Sequence, residues 1–168
     1  MIIGVYGAGY LGTVIASCLA DFGGPVACFD EDAPRVAALQ KGETPYYEPN
    51  LRDALRRNVR AGRLTYSADL QSFAARCSVI FLAQDCSNYV ESIAARIGKL
   101  AGEPLIINAS PSPVGTGCRI EQALRAAGNK ACLVSHPLFL TDGCAFEDFN
   151  WPDRILLGTA CSTAVMTI

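Results

Sequence analysis

Three glycines near the amino terminus are spaced as G-x-G-x-x-G. The segment Gly7-Ala8-Gly9-Tyr10-Leu11-Gly12 follows an apolar stretch at residues 2–6 and precedes a stretch rich in alanine and leucine. In a strand–turn–helix unit, the first glycine permits a sharp turn, the second leaves room for a pyrophosphate beside the backbone, and the third lets the helix pack on the strand. The free N–H groups of the helix start, near Tyr10 and Leu11, would hold the phosphates. The motif therefore predicts a dinucleotide site.

An acidic residue stands where the second strand of such a unit would end. Asp30 follows the apolar stretch at residues 26–29 and lies eighteen residues after Gly12. A carboxylate at this position accepts hydrogen bonds from the adenosine ribose and repels a 2′-phosphate, so the pattern predicts NAD rather than NADP. Glycine-rich turns also occur for packing alone. The coincidence of strand, helix and acid favours binding over that alternative.

The segment after Asp30 predicts a helix with Asp32 as its N-cap. Arg35 projects from the first turns of this helix and is expected to lie near Asp30. Its guanidinium either covers the adenosine ribose or is a solvated helix charge, and the sequence leaves both interpretations open.

Alternating strand and helix patterns position these residues. Continuous apolar stretches at 79–83, 104–108 and 131–135 are typical of parallel strands covered on both faces. Further strands are predicted at 2–6, 26–29, 64–66 and 154–158, and helices at 10–22, 33–40, 51–60, 89–101 and 114–127. A short helix is also predicted that begins at Ser67 or Asp69 and ends near Cys77. Repeated β–α units predict an α/β fold: a single Rossmann-type domain over residues 1–168, with a doubly wound, mostly parallel sheet and helices on both faces. Ligands of such sheets bind at the carboxyl ends of the strands.

Composition and charge narrow the range of partners. The 168 residues, 51% of them hydrophobic, suffice for one domain with a substantial core. A net charge of −2 gives no electrostatic attraction for nucleic acid or an anionic membrane. No apolar run approaches the roughly 18 residues of a membrane span, and the chain starts with a predicted strand rather than a signal peptide. We therefore expect a cytoplasmic protein without a nucleic-acid or membrane partner.

Eight cysteines are scattered along the chain without a C-x-x-C pair, and there is one histidine. Because tetrahedral metal sites have closely paired ligands, no metal site is predicted. Most of the cysteines lie in apolar stretches, where a thiol behaves as a small hydrophobic group, and we expect buried free thiols. They are Cys18, Cys28, Cys77, Cys86, Cys118, Cys132, Cys144 and Cys161.

Several longer motifs accompany the glycine motif. They are Lys41-Gly42-Glu43-Thr44-Pro45-Tyr46-Tyr47-Glu48-Pro49, Asn58-Val59-Arg60-Ala61-Gly62-Arg63-Leu64, Pro113-Val114-Gly115-Thr116, Gly143-Cys144-Ala145 and Pro152-Asp153-Arg154-Ile155. Together they resemble the N-terminal NAD-binding domain of the UDP-glucose/GDP-mannose dehydrogenase family, over nearly the whole chain. The glycine motif is shared by many dehydrogenases, whereas the K-G-x-x-P-x-Y-E-P loop is much more specific.

The resemblance implies an activity and a set of cofactor contacts. Enzymes of this family oxidise the C6 alcohol of a nucleotide sugar to a carboxylate, in two hydride transfers to NAD with a cysteine thioester between them, and so supply polysaccharide biosynthesis. The resemblance implies Asp30 and Arg35 at the adenosine ribose and the backbone of Tyr10 and Leu11 at the pyrophosphate. Further implied cofactor contacts are Ala83, Cys86 and Ser110.

The chain departs from the family's pattern near the reactive end of the cofactor. Where similar proteins have a V-P-T-P turn, residues 84–87 are Gln-Asp-Cys-Ser, so Cys86 replaces the usual threonine. Pro111 replaces a threonine of the pattern S-T-V-P-V-G-T and offers neither hydroxyl nor N–H. Leu138 stands at the first glutamate of the pattern N-P-E-F-L-x-E-G and cannot do acid–base work.

Two nearby residues remain candidates for acid–base chemistry. Asp142 keeps a carboxylate at the second glutamate of that pattern, one methylene shorter. His136 stands at the asparagine position. A lone imidazole at the carboxyl end of a strand titrates near neutral pH, but a structural histidine is the favoured alternative.

Family members continue past this domain with a dimer-forming helix and a second domain, which carries the nucleophilic cysteine, a lysine and most nucleotide-sugar contacts. These 168 residues hold neither. Cys144 and Cys161 lack the family's G-G-x-C-x-x-K-D setting, so no nucleophile is predicted. The apolar tail at 160–168 has the character of a segment that packs against something further, and we expect it to promote homo-oligomer formation.

Three functions stay open at this stage. The chain is the cofactor half of a nucleotide-sugar dehydrogenase that is not catalytic alone, or a diverged, non-catalytic dinucleotide-binding module with a regulatory or partner-binding role. The third and more remote hypothesis is a small complete dehydrogenase that uses His136 or Asp142.

Overall fold

Six parallel strands form one sheet in the computed structural model, which describes residues 1–85 and 89–165. The strands are β1 (Ile3–Tyr6), β2 (Val26–Phe29), β3 (Leu64–Ser67), β4 (Val79–Leu82), β5 (Leu105–Asn108) and β6 (Leu133–Ser135). Their spatial order is β3-β2-β1-β4-β5-β6, and each neighbouring pair is parallel. The order changes direction between β1 and β4, which opens a crevice at the carboxyl ends of these strands. The predicted Rossmann-type, doubly wound sheet is confirmed.

Helices cover both faces of this sheet. They are α1 (Tyr10–Asp21), α2 (Ala33–Gln40), α3 (Leu51–Arg60), α4 (Leu70–Arg76), α5 (Val90–Leu100), α6 (Thr116–Ala126), α7 (Ala145–Asn150) and α8 (Ser162–Val165). Helices α1, α2 and α3 pack on one face, together with Phe81 of β4, whereas α4, α5 and α6 pack on the other, together with Ile80. Successive strand residues point to opposite faces, so both are buried and the strands are apolar throughout. No helix in the described ranges is long and apolar enough to cross a membrane.

Capping side chains mark the starts of two of the described helices, α2 and α4. The side chain of Asp32 accepts the N–H of Arg35 at 3.0 Å and caps α2, as predicted. Asp69 caps α4 in the same way. Asn50 precedes α3 as expected, but its backbone is left-handed (φ 64°) and its side chain makes no capping hydrogen bond.

The strand predicted at residues 154–158 is absent from the described fold. Gly158 makes an antiparallel bridge with Ser135 of β6, and Ile155, Leu156 and Leu157 are exposed. An apolar run indicates contact with other apolar groups, but it does not show which strand edge is free to pair with it. The short helix α7, in the loop before this segment, was not predicted.

The expectation of buried free thiols is correct for three cysteines and wrong for four. Cys18, Cys28 and Cys77 are buried and free, whereas Cys118 and Cys144 are exposed. Cys132 and Cys161 form a disulfide with a Cα–Cα distance of 5.9 Å, because the chain returns beside β6 and brings together residues 29 positions apart. The eighth, Cys86, lies outside the described residues. Within the described ranges, no cluster of three or more His, Cys, Asp or Glu side chains could hold a metal ion.

Candidate functional site

The glycine motif forms the turn between β1 and α1. Gly7 has φ 104°, a left-handed backbone that side chains rarely adopt. A Cβ added to Gly12 would overlap the carbonyl oxygen of Gly7, so the helix crosses the strand closely only because this residue has no side chain. Helix α1 begins at Tyr10, directly after Gly9. The N–H groups of its first turn have no acceptor within the helix and face the crevice at the switch point.

Asp30 is fixed beside this turn. Its Oδ2 accepts the backbone N–H of Ala8 at 2.7 Å, and its Oδ1 accepts the N–H of Asp32 at 2.9 Å. The side chain of Asp30 is 12% exposed to solvent. The predicted acid therefore lies at the end of β2, in contact with the glycine turn and still open to solvent.

Arg35 is paired rather than freely solvated. Its Nη1 lies 3.0 Å from Oδ2 of Asp30, and its Nη2 lies 3.1 Å from Oδ2 of Asp32. The structure thus places the guanidinium at the end of β2, next to the position expected for an adenosine ribose. The guanidinium is about one third exposed, so both interpretations left open above, a cover for the adenosine ribose and a solvated helix charge, remain compatible with these ion pairs.

A second carboxylate, which the sequence analysis did not single out, faces the glycine turn from the turn after β4. Oδ1 of Asp85 accepts the N–H of Leu11 at 3.1 Å. A Cβ added to Gly9 would overlap Oδ2 of Asp85, so the carboxylate fills the space that this glycine leaves open. The signal that could have found it is an acidic residue within the unusual 84–87 turn.

Ser110 and Ala83 shape the crevice between β4 and β5. The hydroxyl of Ser110 donates to the carbonyl of Leu82 at 3.0 Å and accepts the N–H of Gln84 at 2.9 Å. Ala83 is fully buried, and its carbonyl oxygen would lie 2.6 Å from a Cβ added to Gly7. Both residues therefore fix the turn after β4 against the glycine turn. The cofactor contact expected at Cys86 lies outside the described residues.

Glu48 holds the K-G-x-x-P-x-Y-E-P loop in place. Its buried carboxylate accepts the hydroxyl of Tyr10 at 2.6 Å, the N–H of Gly143 at 3.0 Å and the N–H of Phe146 at 3.2 Å. Burial, together with the hydrogen bond to Glu48 and its charge, raises the pKa of Tyr10 to about 12. The sequence analysis named this loop as a family motif but assigned no role to Glu48.

The two candidate acid–base residues line one cleft of about 1010 Å³ at the carboxyl ends of the strands. Nδ1 of His136 lies 3.0 Å from the carbonyl oxygen of Leu156, and a carbonyl only accepts, so Nδ1 carries the proton in this contact. This contact favours the structural interpretation of His136. Asp142 is exposed in the same cleft, whose lining also includes Pro111 and Leu138.

These features fit the adenosine end of an NAD molecule, because Asp30 lies at the end of β2, contacts the glycine turn and keeps an exposed edge. At the pyrophosphate end, the carboxylate of Asp85 fills the side-chain-sized space beside Gly9. The arrangement defines the chain as a Rossmann-type dinucleotide-binding domain.

Comparison with known proteins identifies the family. Residues 1–168 match the model of the UDP-glucose/GDP-mannose dehydrogenase family, NAD binding domain. The chain belongs to this family and is its NAD-binding domain. The predicted resemblance and the predicted cofactor, NAD, are confirmed.

Two relatives with similar sequences are both named UDP-glucose 6-dehydrogenase. The chain is 39% identical over 171 residues to UDP-glucose 6-dehydrogenase of Rhizobium meliloti, covering 94% of this chain and 39% of the relative. It is 37% identical over 180 residues to UDP-glucose 6-dehydrogenase of Pseudomonas aeruginosa, covering 98% and 40%. The chain thus spans about two fifths of the length of these relatives.

Solved structures agree on the fold. A UDP-glucose dehydrogenase from Pyrobaculum islandicum matches with a TM-score of 0.89 at 32% identity, over 99% of this chain and 42% of that one. A GDP-mannose dehydrogenase from Pseudomonas aeruginosa matches with a TM-score of 0.92 at 23% identity, over 99% and 43%, which supports the fold alone.

Proposed function

We propose that this chain is the cofactor half of a nucleotide-sugar 6-dehydrogenase, which binds NAD at the glycine turn and is not catalytic alone. The observation that carries the proposal is the contact of Asp30 with Ala8 at 2.7 Å. It joins the ribose-binding acid to the phosphate-binding turn in one rigid unit at the switch point of the sheet.

Each end of the cofactor has its own set of residues in this proposal. Asp30, with Arg35 beside it, accepts the ribose hydroxyls and excludes a 2′-phosphate. The backbone of Gly7, Gly9, Tyr10, Leu11 and Gly12 surrounds the pyrophosphate. Ser110, which lines the cleft, is proposed to lie on the nicotinamide side, and the family pattern assigns Ala83 and Cys86 to the same part of the cofactor. When bound, NAD supplies the hydride acceptor for the oxidation of an alcohol.

The cleft at the carboxyl ends of the strands is the proposed position of the sugar. Within it, Asp142 is the candidate to orient water or hold a proton, and His136 is the less favoured candidate because its Nδ1 is engaged by Leu156. The matched relatives are UDP-glucose 6-dehydrogenases. By analogy, the substrate class is a nucleotide sugar whose C6 alcohol is oxidised to a carboxylate, in a protein that needs further segments beyond residues 1–168.

A diverged, non-catalytic dinucleotide-binding module is the second candidate. Pro111 and Leu138 both line the cleft and replace polar groups of the family's pattern. The loss of these polar groups removes polar chemistry at the reactive end of NAD, while the adenosine end keeps its acid and its glycines. In this alternative the domain regulates or binds a partner through its NAD-bound state.

The same proposal extends to assembly and location. Phe139, Trp151 and Ile155 are exposed apolar side chains, and a homo-oligomer would cover such surface. Analytical ultracentrifugation tests this point, because a monomer at all concentrations contradicts it.

A cytoplasmic location follows from the nucleotide-sugar substrate class and is tested by cell fractionation.

Calorimetric titration of the folded chain tests the proposal directly. We expect NAD to bind, NADP to bind much more weakly, and Asp30→Ala to weaken NAD binding. Asp53→Ala, which removes the same charge from an exposed position of α3, is the matched control and is expected to leave NAD binding unchanged. A folded chain that binds no NAD would overturn the proposal.

A chimera separates the two candidate functions. The chain is fused to the remaining part of the Rhizobium meliloti relative and assayed for sugar-dependent NAD reduction, with and without Pro111→Thr and Leu138→Glu. Turnover in either form supports the enzyme. Absence of turnover in both forms, with NAD binding intact, supports the non-catalytic module.

A further inference from the structure

We propose that Asp85 is an internal competitor of NAD: its carboxylate occupies the pyrophosphate position at the start of α1, and the cofactor binds only when this side chain moves away. The inference rests on the proposed function, because it takes the glycine turn as the phosphate site.

The contacts of Asp85 are those that a phosphate would make. Its Oδ1 accepts the N–H of Leu11 at 3.1 Å, in the first turn of α1. Its Oδ2 lies in the space left by the missing side chain of Gly9. An N–H donor of the helix start and the open face of the second glycine are the two features that the motif provides for a pyrophosphate.

Among the described residues, the two other carboxylates near this end of α1 bind elsewhere: Asp30 accepts the N–H of Ala8, and Glu48 accepts the hydroxyl of Tyr10, so neither meets an N–H group of the first turn. Its N-cap residue is Gly9, which makes no side-chain capping bond, and its first turn contains no acidic residue. The positive end of a twelve-residue helix is therefore met by a carboxylate from a position 74 residues away in sequence. Asp85 takes the place of a cap in the absence of ligand, and this interaction must be given up when an anionic ligand arrives.

Two anions cannot share this position. A pyrophosphate next to the Asp85 carboxylate would repel it, and both would need the N–H of Leu11. Displacement is feasible because Asp85 is exposed and leaves no part of the core uncovered. The preceding residue is anchored, since the N–H of Gln84 donates to the hydroxyl of Ser110 at 2.9 Å, so the backbone before Asp85 keeps its place when the carboxylate moves.

Two substitutions distinguish the effect of the negative charge of Asp85 from the effect of its side chain as a whole. Asp85→Asn keeps the size and an oxygen that accepts from Leu11, and Asp85→Gly removes the side chain. The matched control is Glu103→Gln, which removes the same charge from an exposed residue between α5 and β5. Each protein is titrated calorimetrically with NAD, with ADP-ribose, which contains the pyrophosphate, and with adenosine, which does not.

We expect Asp85→Asn to tighten binding of NAD and ADP-ribose by about 5- to 20-fold, the range for a charge at a helix end or in a charge-assisted contact. Asp85→Gly is expected to tighten them at least as much. Adenosine affinity and the Glu103→Gln protein should stay within about twofold of the starting chain, because neither involves the pyrophosphate position.

The outcomes distinguish this inference from the proposed function. If the starting chain binds NAD and Asp85→Asn binds it equally or more weakly, the competitor role is overturned and the NAD site stands. If only the Asp85 variants bind NAD, the competitor role is supported, and the proposal that the chain binds NAD as it stands is overturned. If none of the proteins binds NAD while circular dichroism shows them folded, both fail.

A second measurement does not depend on the cofactor. The Leu11 amide is followed by NMR hydrogen exchange in the starting chain and in Asp85→Gly. We expect faster exchange in the variant, because its acceptor has been removed. An unchanged Leu11 amide would show that the contact is not made in solution and would overturn the inference.

Discussion

The carboxylate of Glu48 accepts a hydrogen bond from the backbone N–H of Gly143 at 3.0 Å, across 95 positions of the sequence. With its bonds to Tyr10 and Phe146, it connects the loop before α3, the start of α1 and the segment next to Asp142. The buried carboxylate therefore positions the edge of the cleft, and its removal is expected to lower the free energy of unfolding.

Glu48→Gln is expected to lower the free energy of unfolding by about 1 to 3 kcal/mol, because a neutral amide cannot accept three hydrogen bonds in the same way and one buried donor loses its partner. Urea denaturation measures this change. Glu43→Gln, in the same loop but exposed, is the matched control and should be within about 0.5 kcal/mol of the starting chain. Equal stability of the two variants would contradict the role assigned to Glu48.

Tyr10 makes stability depend on pH in the alkaline range. Burial and the hydrogen bond to Glu48 raise its pKa to about 12 in the folded chain, above the value of about 10 for a tyrosine in the unfolded chain. The folded state thus retains a proton that the unfolded state loses, so this stabilising contribution is complete below pH 10 and is lost as the pH rises towards 12.

Unfolding measured from about pH 9 to about pH 12 tests this dependence. Tyr10→Phe should make the decline in stability with pH less steep. Tyr47→Phe, at a side chain 93% exposed, should leave the slope unchanged. Tyr6, whose pKa burial also raises to about 12, contributes a remaining slope in both variants. The same slope in Tyr10→Phe and the starting chain would refute the assignment.

The pairing of Arg35 with Asp30 and Asp32 affects the choice of cofactor. Asp30→Asn removes the charge that repels a 2′-phosphate and frees the guanidinium to face it, so the preference for NAD over NADP should fall about tenfold, mainly through tighter NADP binding. The double variant Asp30→Asn, Arg35→Ala should lose the gain in NADP affinity. Calorimetric titration gives the ratio of NAD to NADP affinity for each variant. If the double variant keeps the gain in NADP affinity, Arg35 takes no part in binding the 2′-phosphate.

The Cys132–Cys161 disulfide fastens the returning segment to β6. Cys161→Ser, or reduction of the starting chain, should lower the free energy of unfolding by about 2 to 4 kcal/mol, because an open chain has more conformational freedom when unfolded. Cys118→Ser removes an exposed thiol and serves as the control. Thermal unfolding with and without reductant measures the effect. A chain whose unfolding temperature does not respond to reductant would contradict the contribution assigned to the disulfide.

The sequence predicted the strands of the sheet well because their signals are local. Continuous apolar runs such as 79–83 indicate a strand buried on both faces, and Asp32 or Asp69 marks a helix start by a hydrogen bond within three residues. The same local logic failed at residues 154–158. These residues are as apolar as a core strand, but within the described residues they pair with β6 only through the bridge between Gly158 and Ser135.

The sequence by itself determined the fold class, the family and the position of the acid at the end of β2, because the spacing of Gly7, Gly9, Gly12 and Asp30 reflects a backbone geometry that few other arrangements require. Tertiary structure alone decided what surrounds them. Asp85 reaches Leu11 across 74 residues, Glu48 reaches Gly143 across 95, and Cys161 reaches Cys132 across 29. Such contacts depend on which strand ends and loops the fold brings to the same edge of the sheet. A short-range sequence pattern cannot predict them, because the two partners lie far apart in the chain.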